Sequence, residues 1–222
     1  MCINSNDIYR ESKLYDEAKK CMMKQKADAL GIVICGGQSS RMGTDKGLLK
    51  LEAKTWAQTA IDKMAALNIP VKISVNENQF PAYSAVFSSD NLIADNTSLQ
   101  VKGPLLGVLS SHLQHPAEDL FVLACDMPLM DPFLLKELYD QYLLHLSYDA
   151  HVFTNNHEPE PLCGIYTAKG LSGILAMLRE GRLTKFSMKF MLDHLIVNAI
   201  AATDEQKKYF RNFNAHAELN GL

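Results

Sequence analysis

Residues 30–49 read LGIVICGGQSSRMGTDKGLL, and this stretch predicts how the chain is organised. It opens with a short apolar run rich in β-branched residues, which is typical of a buried strand. The run ends at Gly36 and Gly37, and the polar loop that follows contains the cations Arg41 and Lys46. Glycines let backbone N–H groups approach an anion, and cations neutralise it. Two interpretations are open at this point: a phosphate-binding loop or an ordinary glycine-rich turn.

The composition is that of a globular protein. The 222 residues are 47% hydrophobic and 21% charged, with a formal net charge of −3, which suits one domain with a sizeable core or at most two small ones. No basic block interleaved with aromatic residues indicates nucleic-acid binding. No apolar run reaches the ~20 residues needed to cross a bilayer, and the first residues have no apolar segment typical of a secretory signal. We therefore expect a cytoplasmic protein that binds neither nucleic acid nor membranes.

The cysteines and histidines do not form a metal-binding pattern. The five cysteines are widely spaced and include no Cys-x-x-Cys pair, so neither a disulfide framework nor a zinc site is predicted. Cys35 and Cys125 each end an apolar run and are expected to be small core residues. His112, His115 and His145 are expected on helix surfaces rather than as ligands.

Strand and helix patterns alternate along the chain. Strands are predicted at 30–35, 71–75, 92–94, 120–125 and 150–153, and helices at 55–67, 81–87, 104–114, 131–146, 171–179 and 184–192. Thr55 and Asp131 are the expected N-caps of two of these helices. Apolar strands that alternate with helices predict an α/β fold with a mostly parallel sheet and helices on both faces.

The two ends of the chain are less regular. Residues 1–27 are polar, with apolar positions at helical spacing, and form an N-terminal extension ahead of the first strand. Near the other end, 162–166 is predicted as a strand that leaves the main sheet and 195–200 as a last strand. A short helix is predicted after residue 214.

Polar residues follow three of the predicted strands. Asn76, Asp95 and Asp126 each come directly after one, and the carboxyl ends of parallel strands share the edge where ligands bind. One such residue is usually a turn or cap residue, but three beside a glycine-rich loop favour a shared nucleotide site. Asp126 is the best candidate for a metal ligand, because Mg²⁺ takes one or two carboxylates plus phosphate oxygens. The alternative, that Asp126 caps the next turn, is weakened because Asp131 can cap the following helix itself.

Common phosphate-site motifs are absent from the sequence. There is no Gly-x-x-x-x-Gly-Lys-(Ser/Thr) and no Gly-x-Gly-x-x-Gly, so neither a P-loop nor the dinucleotide fingerprint is present. Ser39 and Ser40 lack the Gly-x-Ser-x-Gly context of a hydrolase nucleophile.

The stretch 36–49, GGQSSRMGTDKGLL, resembles the molybdenum cofactor guanylyltransferase family. Further segments match that family in order: 75–78 (VNEN), Asp95, 103–107 (GPLLG), 125–128 (CDMP), 161–166 (PLCGIY) and Asn212-x-Asn214. The resemblance runs from about residue 30 to the end. It departs from the family at Cys35, where alanine is usual, and at Ala215-His216, where Thr-Pro is usual; residues 1–27 lie outside the pattern.

The resemblance implies a Rossmann-like three-layer sandwich of the nucleotide-diphospho-sugar transferase type. It implies one domain over 28–222, with a nucleotide half at about 28–130 and an acceptor half at about 131–222. The implied reaction is attack of a terminal phosphate of molybdopterin on the α-phosphorus of GTP, with loss of pyrophosphate. Transient contact with molybdenum cofactor insertion proteins and apo-molybdoenzymes is implied as well.

Residue roles follow from the same resemblance. The catalytic residues would be Arg41, Lys46 and Asp126, with Asp126 holding Mg²⁺. The nucleotide-binding residues would be Ile34, Cys35, Gly36, Gly37, Lys46, Asn76, Asp95, Gly103 and Asp126. Arg182 and Lys185 would either contact the acceptor phosphate or be solvated cations.

Two other functions stay open on the sequence. One is a related nucleotidyltransferase that uses CTP or a sugar 1-phosphate, although the pair Gly36-Gly37 and the segment 103–107 favour guanine. The other is a non-catalytic protein that binds nucleotide and delivers the cofactor; a metal-binding carboxylate such as Asp126 argues against it.

Overall fold

The computed structural model of the protein describes residues 29–36, 45–51 and 53–213. Its strands are β1 (Ala29–Ile34), β2 (Lys50–Leu51), β3 (Lys54–Thr55), β4 (Val71–Val75), β5 (Leu92–Ala94), β6 (Asp119–Ala124), β7 (Ala150–Asn155), β8 (Glu158–Tyr166) and β9 (Val197–Ala201). Its α-helices are α1 (Trp56–Ala65), α2 (Phe80–Ser84), α3 (Pro104–Gln114), α4 (Pro132–Leu144), α5 (Ala168–Arg179) and α6 (Met188–Leu192). A single turn of 3-10 helix covers Lys46–Leu48. None of the helices in these residues is long and apolar enough to cross a membrane.

Seven strands form the central sheet in the order β5-β4-β1-β6-β8-β7-β9. The pairs β5–β4, β4–β1, β1–β6 and β7–β9 are parallel, whereas β8 is antiparallel to both β6 and β7. The predicted mostly parallel sheet is therefore confirmed. The short hairpin β2–β3 beside it was not predicted.

The prediction that residues 162–166 leave the main sheet is wrong. They belong to β8, which lies inside the sheet between β6 and β7. The cause is a tight turn after β7, in which Asn156 and His157 both have positive φ values, 52° and 66°. Two successive residues with positive φ are typical of the turns that fold a chain back into a hairpin.

Helices cover both faces of the sheet, so the predicted α/β layers are confirmed. Neighbouring residues of β1 point to opposite faces, and both faces are buried: Val33 lies in the cluster that includes α1 and α4, and Ile32 in the cluster that includes α3 and α5. This is why the strand is apolar at every position.

Local signals placed most helix starts correctly. The Thr55 hydroxyl accepts a hydrogen bond from the Gln58 N–H (3.1 Å), and the Asp131 carboxylate accepts one from the Phe133 N–H (2.8 Å), so both predicted caps are confirmed. The helix predicted over 184–192 begins only at Met188, because Ser187 is the residue that caps it.

Two further predictions concern single side chains. Cys35 and Cys125 are buried free thiols, as expected of core residues. The expectation that His112 lies on a helix surface is wrong: it is 2% exposed, and its Nε2 lies 3.1 Å from the Ser172 hydroxyl of α5, which covers this side of α3. The helices predicted within 1–27 and after 214 lie outside the described residues.

Candidate functional site

Polar side chains collect at the carboxyl edge of four adjacent parallel strands. In spatial order these strands are β5, β4, β1 and β6, and the residues that follow them are Asp95, Asn76, Gly36 and Asp126. Neighbouring strands lie ~4.8 Å apart, so Asp95 and Asp126 mark the two ends of a row about 14 Å long. The site has one acidic end at β5 and a mixed-charge end at β6.

Lys46 and Asp126 form the β6 end of the row. The Lys46 ammonium lies 3.3 Å from Asp126 Oδ2, and each side chain is 24% exposed. The other carboxylate oxygen, Oδ1, is buried and has no hydrogen-bond partner among the described residues. Burial raises the pKa of Asp126, and the nearby Lys46 opposes this rise. A buried carboxylate oxygen without a hydrogen-bond partner can take a positively charged ligand.

The donor set at this end suits Mg²⁺ rather than a metal held by protein ligands alone. In the described ranges, no group of three or more His, Cys, Asp or Glu residues is placed to hold a metal ion. Mg²⁺ does not need one, since it binds through one or two carboxylates and the phosphates of a substrate. The unpartnered Oδ1 of Asp126 fits that pattern.

Two glycines surround the carboxylate of Asp95 at the β5 end. A Cβ atom on Gly36 would lie 3.4 Å from Asp95 Oδ2, and one on Gly107 of α3 would lie 3.5 Å from Asp95 Oδ1 and 2.5 Å from the Ser74 hydroxyl. A side chain at either position would contact the carboxylate. The absence of two side chains therefore keeps the space around Asp95 open.

Asp95 is also chemically unusual. Its Oδ1 is buried and has no hydrogen-bond partner within the described residues. Burial raises its pKa to about 6, and the nearby Glu77 adds to this rise. A partly desolvated carboxylate with an unmet bond favours a ligand that offers N–H donors.

The remaining predicted residues lie around these two ends. Ile34 is the last residue of β1 and is 4% exposed, and the N–H groups of Cys35 and Gly36 both donate to the Ser74 carbonyl, at 2.9 and 3.1 Å. Gly103 precedes α3 with a φ of 70°, which favours glycine. Gly37 and Arg41 lie outside the described residues.

The structure thus brings together Gly36, Asn76 and Asp95 at one end and Lys46 and Asp126 at the other. A Cβ on Gly36 would also lie 3.8 Å from the backbone nitrogen of Asn76, so the ends of β1 and β4 lie close together. Arg182, for which contact with the acceptor phosphate and a solvated position were both left open, pairs with Glu180 on the surface.

Sequence reasoning gave no role to three residues of the site: Asp45, Gln79 and Tyr83. The carboxylate of Asp45 accepts hydrogen bonds from the Gln79 side chain (2.5 Å) and the Tyr83 hydroxyl (2.8 Å). One signal was present in the sequence: Asn76 and Gln79 are three residues apart, like the two partners of a capping box. The bonds confirm that pattern, since each side chain accepts from the other residue's N–H at 3.0 Å.

Comparison with known proteins supports a nucleotide site. A family model described as the MobA-like NTP transferase domain matches residues 31–195. A protein of Flavobacterium johnsoniae named "Probable molybdenum cofactor guanylyltransferase" is 27% identical over 190 residues, which cover 86% of this chain and 94% of that protein. A protein of a Geobacillus species with the same name is 26% identical over 194 residues, covering 86% and 96%.

Solved structures share the fold. Molybdopterin-guanine dinucleotide biosynthesis protein A from Archaeoglobus fulgidus superposes with a TM-score of 0.67 at 20% identity, covering 86% of this chain and 95% of that one. A 4-diphosphocytidyl-2C-methyl-D-erythritol synthase from Anaerococcus prevotii gives a TM-score of 0.61 at 10% identity, covering 90% and 96%. The predicted nucleotide-diphospho-sugar transferase fold is confirmed.

Proposed function

Because the chain belongs to the MobA-like NTP transferase family, we propose that it transfers GMP from GTP to the terminal phosphate of molybdopterin. The products are molybdopterin guanine dinucleotide and pyrophosphate. Family membership confirms the resemblance found in the sequence and makes the chain a nucleotidyltransferase. The choice of GTP and molybdopterin is supported by the names of relatives that are 27% and 26% identical.

One observation carries the proposal: the two ends of the strand-edge row differ in chemistry. Lys46 and the unpartnered oxygen of Asp126 suit phosphates and their counter-ion at one end, and the unpartnered oxygen of Asp95 suits a base at the other. The separation of about 14 Å between the two ends is comparable to the length of an extended nucleoside triphosphate. We therefore orient the nucleotide with its base near β5 and its phosphates near β6.

The chemistry requires little from the protein beyond position and charge. Phosphoryl-type transfer is accelerated mainly by alignment of the groups and neutralisation of developing charge, without a protein nucleophile. The Lys46 ammonium would exchange Asp126 for the phosphates and neutralise the departing pyrophosphate. Arg41 would assist there, as the sequence resemblance implies.

Asp126 would hold Mg²⁺ through its buried oxygen. When bound, the ion supplies positive charge against the phosphate oxygens. Asp126 follows the end of β6, and its backbone carbonyl accepts a hydrogen bond from the Phe213 N–H (2.9 Å), so its backbone is held at the edge of the sheet.

Asp95 would recognise the base. Guanine offers N–H donors on the edge that pairs with other bases, and the unpartnered Asp95 oxygen can accept one of them. Gly36 and Gly107 would leave room for the base beside the carboxylate. Asp95 and the two glycines are thus expected to set the preference for the nucleotide base.

The test is a reconstituted reaction. The purified protein is incubated with Mg²⁺, molybdopterin and either GTP or CTP, and pyrophosphate and dinucleotide product are both measured. We expect both products with GTP and little with CTP. Turnover with CTP or a sugar 1-phosphate instead would refute the substrate assignment, and GTP binding without pyrophosphate release would indicate a delivery protein.

A further inference from the structure

The carboxylate of Asp45, the residue before Lys46, receives three hydrogen bonds. Its Oδ1 accepts from the Gly47 N–H (3.0 Å) and the Tyr83 hydroxyl (2.8 Å), and its Oδ2 accepts from the Gln79 side-chain amide (2.5 Å). The first bond caps the 3-10 turn that carries Lys46. The other two come from residues 34 and 38 positions further along the chain. One side chain therefore fixes both the shape of this turn and its position in the fold.

Gln79 connects Asp45 to the edge of the sheet. Its side-chain amide also donates to the Cys35 carbonyl at the end of β1 (3.1 Å). Its Oε1 accepts from the Asn76 N–H at the end of β4, and its own N–H donates to Asn76 Oδ1, both at 3.0 Å. The anchor of Asp45 is thus itself held by two of the strands that carry the candidate nucleotide site.

Tyr83 donates its hydrogen bond to Asp45 from a buried position. Its side chain is fully buried, and burial raises the pKa of its hydroxyl far above the usual range, so the hydroxyl remains protonated. Gly47 leaves room for it, because a Cβ atom at position 47 would overlap the Tyr83 hydroxyl and would lie 3.1 Å from Cys35 Sγ. A side chain at position 47 would therefore displace the Tyr83 hydroxyl.

From these contacts we infer that Asp45, Gln79 and Tyr83 form a clamp that positions the Lys46 ammonium for the transfer reaction. The clamp fixes the turn from which Lys46 reaches across to Asp126, 3.3 Å away. Its members are positioning residues, since they act through Lys46 and are not expected to touch the nucleotide. The inference rests on the proposed function in one respect: the charge that Lys46 neutralises is that of the nucleotide phosphates.

The chain offers a matched pair of variants for the test. Tyr83→Phe removes the bond to the Asp45 carboxylate. Tyr142→Phe removes an equivalent bond from a buried tyrosine to the Asp119 carboxylate (2.7 Å), at the start of β6 and so at the opposite edge of the sheet. Both changes delete one buried hydroxyl, so a loss specific to Tyr83→Phe reports on the site rather than on general stability.

We expect Tyr83→Phe to lower kcat by about 10- to 100-fold, because misplacing a positioned group by about 1 Å has effects of this size. KM for GTP should change less than kcat, since the base-binding end at Asp95 stays intact. Tyr142→Phe should leave kcat unchanged. Equal kcat values for the two variants would overturn the inference.

A second readout does not depend on turnover. Amide hydrogen exchange at Gly47, followed by NMR in the nucleotide-free protein, should speed up in Tyr83→Phe and remain as in the wild type in Tyr142→Phe. Equal protection in all three proteins would overturn the clamp. If the wild type transfers no nucleotide at all, the proposed function fails, while Gly47 exchange still decides whether the clamp exists.

A second variant keeps the test open if Tyr83→Phe does not fold. Gln79→Met has a similar length and removes the bonds to Asp45 and to the Cys35 carbonyl, together with the bond from the Asn76 N–H, at a half-buried position. It should likewise lower kcat more than Tyr142→Phe does, and an effect no larger than that control would again overturn the inference.

Discussion

At the scale of single residues, Asp126 is the side chain on which the proposed reaction depends most. We expect Asp126→Ala to lower turnover more than about 100-fold, because preorganised charge at the reacting phosphates has effects of that size. Stability should change by only about 1 kcal/mol or less, since ion pairs with solvent access contribute little. The measurement is pyrophosphate release together with the unfolding midpoint.

The control for this variant is Asp140→Ala. Asp140 also pairs with a lysine, Lys136, at 2.6 Å, but the pair lies exposed on α4. Its removal should leave turnover unchanged. Wild-type turnover in Asp126→Ala would rule out the role that we assign to this carboxylate.

Asp95 should make the stability of the protein depend on pH. Its pKa of about 6 in the folded protein lies above the value of 3.8 expected of an ordinary aspartate. The folded state therefore binds more protons than the unfolded chain between about pH 4 and 6, and stability falls as the pH rises through this window. The raised pKa corresponds to about 3 kcal/mol, which partial solvent access reduces to about 1–2 kcal/mol.

Asp95→Asn should consequently be more stable than the wild type at pH 7.5 by about 1–2 kcal/mol, with the difference vanishing near pH 4. It should also bind GTP more weakly, which is the usual cost of stabilising a functional site. Urea unfolding at several pH values measures the first effect and calorimetry the second. Asp90→Asn, at an exposed position, is the control; a stability difference for Asp95→Asn that does not vary with pH would contradict the prediction.

How far the sequence predicted the site differs from residue to residue. Asp95 and Asp126 could be found because each follows an apolar strand, and parallel strands carry such residues to one edge. Asp45, Gln79 and Tyr83 could not be connected, because no periodic pattern links positions that meet only after β1 and β4 have paired. The burial of His112 was missed for the same reason: α5 covers it, and only the tertiary fold brings α5 there.

At the scale of elements, β8 shows a similar limit. Its residues have the composition of a strand, but composition does not state the direction in which a strand runs. The direction is set by the turn at Asn156 and His157, whose positive φ values reverse the chain. Neither residue is a glycine, so the usual sequence signal for a hairpin was weak.

Two helical glycines lead to opposite predictions. In general, Gly→Ala inside a helix stabilises by about 0.5–1 kcal/mol. Gly173→Ala in α5 should do so, because apart from its chain neighbours and the backbone of its own helix no atom lies within 4 Å of the added Cβ. Gly107→Ala in α3 should instead destabilise by about 1–3 kcal/mol, the usual effect of overpacking, because its Cβ would lie 2.5 Å from the buried Ser74 hydroxyl.

Urea unfolding of both glycine variants tests this pair of predictions. Since the Ser74 hydroxyl has no hydrogen-bond partner in the described residues, Ser74→Ala should itself be well tolerated. Combined with Gly107→Ala, it should recover most of the lost stability. A double variant as unstable as the sum of the two single changes would show that the clash is not the cause.

At the scale of the whole molecule, the segment after β9 returns to the nucleotide half. Phe210 packs against Phe153 of β7 with 5.2 Å between ring centroids, and Phe213 is fully buried. The Phe213 N–H then donates to the backbone carbonyl of Asp126 (2.9 Å). The two proposed halves, 28–130 and 131–222, are thus joined at the β6 end of the site, which supports our proposal that 28–222 is one domain.

This connection predicts how the protein unfolds when Phe213 is truncated. Phe213→Ala should lower the free energy of unfolding by about 3–5 kcal/mol, as for other buried phenylalanines. If 28–222 is one cooperative unit, the loss must also be felt at Trp56, the single tryptophan of the chain, which is buried at the start of α1 in the other half. Trp56 fluorescence and far-UV circular dichroism should therefore give coincident urea transitions, both shifted equally.

The control is Phe133→Ala, at a position 69% exposed, which should shift neither transition. A Trp56 transition that stays at the wild-type midpoint while circular dichroism becomes biphasic would instead mean that the halves unfold separately, and that Phe213 stabilises only its own half.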